Sequence, residues 1–135
     1  MRWEIATSAA SAIRKHAAAA HPLEACGLLL GVSGRIDTAQ PTRNVSAEPS
    51  HSFEIDPAAL FAAQRAEREG SRALIGYYHS HPNGQALPSA RDAARAAPDG
   101  KLWIIAAGDT LAAYLAGEGG HEGRFRPITL VERER

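Results

Sequence analysis

Residues 77–92 read Tyr-Tyr-His-Ser-His-Pro-Asn-Gly-Gln-Ala-Leu-Pro-Ser-Ala-Arg-Asp, the densest run of chemically capable side chains in the sequence. His79 and His81 follow an apolar run over residues 73–78 that reads as a buried strand. Strand side chains alternate between faces, so the two imidazoles share one face and Ser80 takes the other. Two imidazoles presented together at a strand exit can bind one zinc ion through a nitrogen each. Pro82 biases His81 toward extended backbone, and Asn83-Gly84 then turns the chain. Ser89-Ala90-Arg91-Asp92 opens an alanine-rich run that reads as a helix start, with Asp92 in its first turn. The Asp92 carboxylate is a candidate third ligand. Two histidines and one acid leave a tetrahedral zinc with one open position for water, the layout of a catalytic site. A structural zinc wants four protein ligands, and the one cysteine is Cys26.

The same residues have plainer readings. Ser89 and Asp92 can be a helix-capping pair, and a His-x-His pair is more often two half-exposed polar side chains than a metal site. Coincidence favours the metal: strand exit, proline, serine and acid at a helix start fall together.

The spacing His79-Ser80-His81-Pro82, six residues, Ser89, two residues, Asp92 resembles the signature of the JAMM (MPN+) zinc metallopeptidases. That family carries an upstream glutamate in a segment similar to Pro22-Leu23-Glu24-Ala25-Cys26-Gly27-Leu28-Leu29-Leu30-Gly31 here. A third segment, residues 44–57 with Phe53-Glu54-Ile55-Asp56-Pro57, is similar to stand-alone bacterial members, so the resemblance spans nearly the whole chain. It implies an α/β fold, a mixed β-sheet flanked by helices in α/β/α layers with cytidine-deaminase-like topology. It also implies one Zn2+ per chain on His79, His81 and Asp92, with Glu24 as general base and Ser89 donating to the oxyanion. The implied reaction is hydrolysis of an amide bond after the C-terminal diglycine of a ubiquitin-like, β-grasp sulfur-carrier protein by a zinc-activated water. Deaminase chemistry is not implied, because the His-x-Glu and Pro-Cys-x-x-Cys elements are missing.

Taken by itself, Glu24 at the mouth of an apolar strand is either a solvated loop carboxylate or, beside an activated water, a general base. Cys26 reads as inert packing, since no base stands beside it in sequence. Two rival readings are a non-catalytic MPN-type interaction module and a DNA-repair-associated relative of the family. The full ligand set disfavours the first; the neutral charge and the Cys26-Gly27 strand disfavour the second.

The 135 residues are expected to form one domain, 1–135, large enough for a core without disulfides. Fifteen basic and fifteen acidic residues balance, leaving no electrostatic footprint for nucleic acid or an anionic membrane. One cysteine excludes an internal disulfide, and Met-Arg-Trp-Glu-Ile at the start lacks the apolar core of a secretory signal. A cytoplasmic location is expected. The longest apolar stretch, residues 25–32, is too short to span a bilayer.

The elements that must position the site follow from periodicity and punctuation. Helices are expected over residues 8–20 with Ser8 as N-cap, 57–69 with Asp56 as N-cap and Pro57 first, and 89–96. Strands are expected over 25–32, 35–38, 52–55, 73–78, 102–107, 111–116 and 125–131, with Pro127 favouring an edge or bulge. Residues 118–123 read as a flexible loop. Residues 44–51 read as an irregular loop, which the family resemblance implies can lie near the active cleft, with Asn44 a candidate substrate contact and His51 a surface residue. Trp103 and Tyr114 are expected to pack.

Overall fold

The computed structural model describes residues 1–134. In chain order the elements are β1 (Arg2–Ala6), α1 (Thr7–Ala20), β2 (Cys26–Val32), β3 (Arg35–Thr42), α2 (Pro57–Arg68), β4 (Ala73–Ser80), α3 (Ala90–Arg95), β5 (Leu102–Ala107), β6 (Thr110–His121) and β7 (Phe125–Arg133). The strands lie in the order β1-β3-β2-β4-β5-β6-β7. β2 is antiparallel to β3 and β4, β4 is parallel to β5, and β5-β6-β7 is an antiparallel meander. The expected mixed sheet flanked by helices is present. Residues 2–6, which carry no strong strand signal, close it: β1 pairs in parallel with β3 on one side and β7 on the other.

The continuous apolar runs lie at the centre because both faces of the sheet are covered. Along β5, Leu102, Ile104 and Ala106 pack with Ala9, Ala10 and Ile13 of α1. Trp103 and Ile105 face the other way and pack with Cys26, Phe53, Ala96, Tyr114 and Phe125. Fully burying one such aliphatic side chain stabilises by roughly 1.5–3 kcal/mol, so β5 anchors both layers. Gly27 is required by close approach, since a Cβ there would overlap the Tyr78 ring.

Several boundaries differ from expectation for identifiable reasons. α1 starts at Thr7, not after Ser8; its N-cap Ala6 makes no side-chain cap because β1 runs directly into the helix. Residues 52–55 form no strand beyond an isolated Asn44–Ile55 bridge, because the Glu54 N–H donates to the Asn44 side chain. α2 begins as expected, with Asp56 accepting from the Ala58 N–H and Pro57 first. Residues 118–121 belong to β6 rather than to a free loop, with an irregularity between Ala116 and His121. Pro127 sits in β7 at no cost. The Thr129 N–H donates to the Met1 carbonyl, so the Pro127 nitrogen, two residues back on the same side, lies beyond the end of β1. Among the described residues no helix is long and apolar enough to cross a membrane.

Candidate metal centre

The site is assembled at the exit of β4, where the sheet stops and local hydrogen bonding takes over. His79 is still within the ladder, paired with Cys26 of β2 and Ile105 of β5. Its ring is fully buried, stacked on Phe53 at 4.2 Å and 18°, with Trp103 edge-on at 5.7 Å. Ser80 points away: its Oγ accepts from the Ala25 N–H at 2.8 Å, while its own N–H donates to the Ala25 carbonyl. That double tie fixes the start of β2 against the end of β4 and brings the preceding residue, Glu24, to the site. Glu24 is held further by its N–H to the Pro49 carbonyl at 2.7 Å and by the Asn44 side-chain amide on its carbonyl at 3.0 Å.

His81 lies one residue past the ladder. Its N–H donates to the Ala106 carbonyl, and its Nδ1 lies 2.9 Å from the Gln85 carbonyl. A carbonyl can only accept, so Nδ1 carries the proton and Nε2 presents its lone pair. That Nε2 stands 3.0 Å from the Nε2 of His79. The Asp92 carboxylate bridges the two, Oδ1 3.1 Å from His79 and Oδ2 3.2 Å from His81. Asp92 is aimed by the start of α3, where the Ser89 Oγ accepts from the Asp92 N–H and the Ser89 N–H donates to Oδ2. The capping-pair reading holds, and the same carboxylate reaches both imidazoles.

These donors fit a cation. Two imidazole Nε2 atoms and a carboxylate, all buried, converge where lone pairs outnumber protons. Glu24, His79 and His81 also offer ligand atoms within 4.8 Å of one another, and the Glu24 Oε1 is buried with no hydrogen-bond partner. A buried, unpaired carboxylate oxygen is costly and marks a place for a water or an ion.

The electrostatics separate the two acids. Burial pushes the Glu24 carboxyl up to about 7, with the Asp92 charge adding to it and the His81 and Arg91 charges opposing. Burial pushes Asp92 up as well, but the hydrogen bonds with His79 and His81 outweigh it and hold the carboxyl well below the usual range. Burial lowers His79 despite its bond to Asp92; in His81 the pull of burial is overcome by the Asp92 hydrogen bond and charge, which raise it.

Beside the cluster opens a cavity of about 140 Å³ lined by Glu24, Ser50, His51, His81, Pro82, Asn83 and Ser89. The Ser89 Oγ is occupied as an acceptor, which leaves its hydrogen to donate. His51, read from sequence as a surface residue, is exposed yet lines this cavity. Asn44, expected to contact substrate, uses its whole side chain within the protein. It donates to the Glu24 and Ser52 carbonyls and accepts from the Ser46 and Glu54 N–H groups. Cys26 is buried against Thr42, and burial raises its thiol, in keeping with inert packing. Phe53, noted in sequence only as part of the 53–57 segment, acts by stacking on His79, and Gln85 escaped sequence reasoning because it acts through its backbone carbonyl.

A mixed sheet thus brings two histidines and two buried carboxylates to one small cleft, a cluster able to hold a metal ion. Residues 6–118 match the family described as prokaryotic homologs of the JAB domain, and the chain belongs to that family. It is 35% identical over 114 residues to the desampylase of Haloferax volcanii, covering 80% of this chain and 82% of that protein. It is 42% identical over 80 residues to the probable TtuB-protein conjugate cleaving protease of Thermus thermophilus, covering 58% of this chain and 53% of that one. The solution structure of protein DSY2949 from Desulfitobacterium hafniense superposes with a TM-score of 0.83 at 24% identity, over 100% of this chain and 94% of that one, and shares the fold. The chain is a JAMM-type hydrolase.

Proposed function

We propose that this protein is a zinc-dependent peptidase or isopeptidase that cuts the amide bond after the C-terminal diglycine of a ubiquitin-like, β-grasp sulfur-carrier protein. The observation that carries the proposal is the convergence of His79, His81 and Asp92 beside the unpartnered Glu24 Oε1 at an open cavity. His79, His81 and Asp92 would hold one zinc ion, leaving Glu24 outside the ligand set. Bound there, zinc would acidify a water to a pKa of about 7 and polarise the scissile carbonyl. Glu24, its carboxyl raised to about 7 by burial, takes the proton of the attacking water and passes it to the leaving amine. Ser89 donates its free hydrogen to the developing oxyanion, a contact typically worth roughly 3 kcal/mol in the transition state. Asn44 acts by position, holding the Glu24 carbonyl and the 44–54 segment together. The small volume of the cavity suits small residues such as a pair of glycines, and the Thermus relative's name describes cleavage of a protein conjugate.

The test is mass spectrometry of zinc-loaded protein incubated with the source organism's own β-grasp proteins bearing C-terminal extensions. Cleavage directly after the diglycine supports the proposal. Full zinc occupancy with every such substrate left intact would remove the substrate assignment.

A further inference from the structure

We propose that Tyr114 is a positioning residue for the metal centre, tying residues 82–88 to the sheet so that the Gln85 carbonyl keeps His81 in its ligand tautomer. The inference rests on reading His79, His81 and Asp92 as the metal ligands. Residues 82–88 form the whole connection between His81 and the Ser89–Asp92 helix start. Asn83, Gly84, Gln85 and Leu87 in it are exposed. Its internal hydrogen bonds are local: Gly84 N–H to the His81 carbonyl, and Gln85 N–H to the Asn83 side chain. Neither ties the loop to anything beyond His81. The Tyr114 hydroxyl does so, donating to the Ala86 carbonyl at 2.7 Å from β6, 28 residues away.

Ala86 follows the residue whose carbonyl holds the Nδ1 of His81 at 2.9 Å. The Gln85 and Ala86 carbonyls lie on successive peptide planes, so anchoring the second leaves only the two Ala86 backbone dihedrals between the anchor and the Gln85 oxygen. The Tyr114 ring is itself almost fully buried and packed against Phe125 in the core behind the site. A buried phenol therefore anchors the partly exposed loop, whose Pro88 end is buried, next to the carbonyl that holds His81. The simpler view is that the bond only satisfies a buried hydroxyl. The two differ in what removing the oxygen does to His81.

The experiment compares wild type with Tyr114→Phe, Tyr78→Phe and His81→Ala. Tyr78→Phe is the control: it removes a buried hydroxyl bonded to His16 on the opposite face of β4. Zinc affinity is measured by chelator competition, and the imidazole ¹⁵N resonances of zinc-free protein are recorded at one pH. Removing an outer partner of a ligand typically weakens metal binding 10–100-fold, and Tyr114 acts one link further out, so Tyr114→Phe should weaken zinc about tenfold. It should also give His81 a second tautomer, while Tyr78→Phe changes neither readout. Wild-type affinity in Tyr114→Phe, weaker zinc with unchanged His81 nitrogens, or equal weakening in both tyrosine variants would each overturn the proposal. His81→Ala separates the two levels. Retained zinc in that variant refutes the ligand assignment itself; lost zinc there, with Tyr114→Phe unaffected, refutes only the role of Tyr114.

Discussion

The two halves of the metal centre are held by different physics. The sheet half, Glu24 and His79, sits where β2 and β4 pair, and His79 is gripped by Phe53, Trp103 and two neighbouring strands. The loop half, His81, Ser89 and Asp92, lies beyond the ladder and is held by a handful of hydrogen bonds, Gln85 to His81 and the capping box at α3 among them. Packing is non-directional and tolerates polar loss elsewhere; hydrogen bonds are directional and fail singly. The sheet half should therefore break through cavities, and the loop half through single polar atoms.

The largest effect is expected from Asp92→Ala, which removes a proposed ligand and one arm of the capping box together. Zinc stoichiometry should fall from one towards zero. Thermal melts of the metal-free protein should show a loss of about 2–4 kcal/mol, from the cap and from the two buried histidines left without their carboxylate partner. Ser89→Ala should keep zinc but lower kcat by about 10²–10³-fold, as loss of one oxyanion donor does. A comparable loss of zinc in that variant would mean the serine serves only the cap. On the packed side, Phe53→Ala should cost about 3–5 kcal/mol in urea unfolding, the usual penalty for emptying an aromatic site. It should weaken zinc less than Asp92→Ala does, and the opposite ranking would show that the two halves are not held differently.

The smallest effect concerns the opposite face of β4, where the His16 Nδ1 lies 2.7 Å from the buried Tyr78 hydroxyl. Burial lowers the His16 pKa below its ordinary value of 6.5. In a window below that value the unfolded chain binds the proton more readily than the folded one. The neutral-form stabilisation is therefore complete above pH about 6.5 and is lost as pH falls through the lowered value. His16→Gln should flatten this part of the stability–pH profile, measured by denaturant midpoints from pH 8 to 5.

What could be read from sequence divides along the same line. The convergence of His79, His81 and Asp92 was legible because strand alternation, a proline and a helix start are local signals. Glu24 was legible only by resemblance, for its approach depends on the Ser80–Ala25 ties, which link residues 55 apart. β1 was invisible, since five residues closing a sheet against β3 and β7 obtain their stability from distant partners. Asn44 does lie beside the site, as the family resemblance implied, and its side chain is taken up by backbone groups there, as loop asparagines commonly do. Tyr114 was correctly expected to pack, but its hydroxyl's reach to Ala86 depends on the β5–β6 hairpin's place in the sheet.

The central claim is that Glu24 works outside the ligand set as the base. The most direct measurement is zinc content and turnover of Glu24→Ala beside wild type, on one diglycine-extended substrate. We expect one zinc per chain in both proteins and a rate loss of at least about 10²-fold in the variant, the scale of a removed general base. Substantial turnover by Glu24→Ala, or loss of its zinc, would contradict that claim.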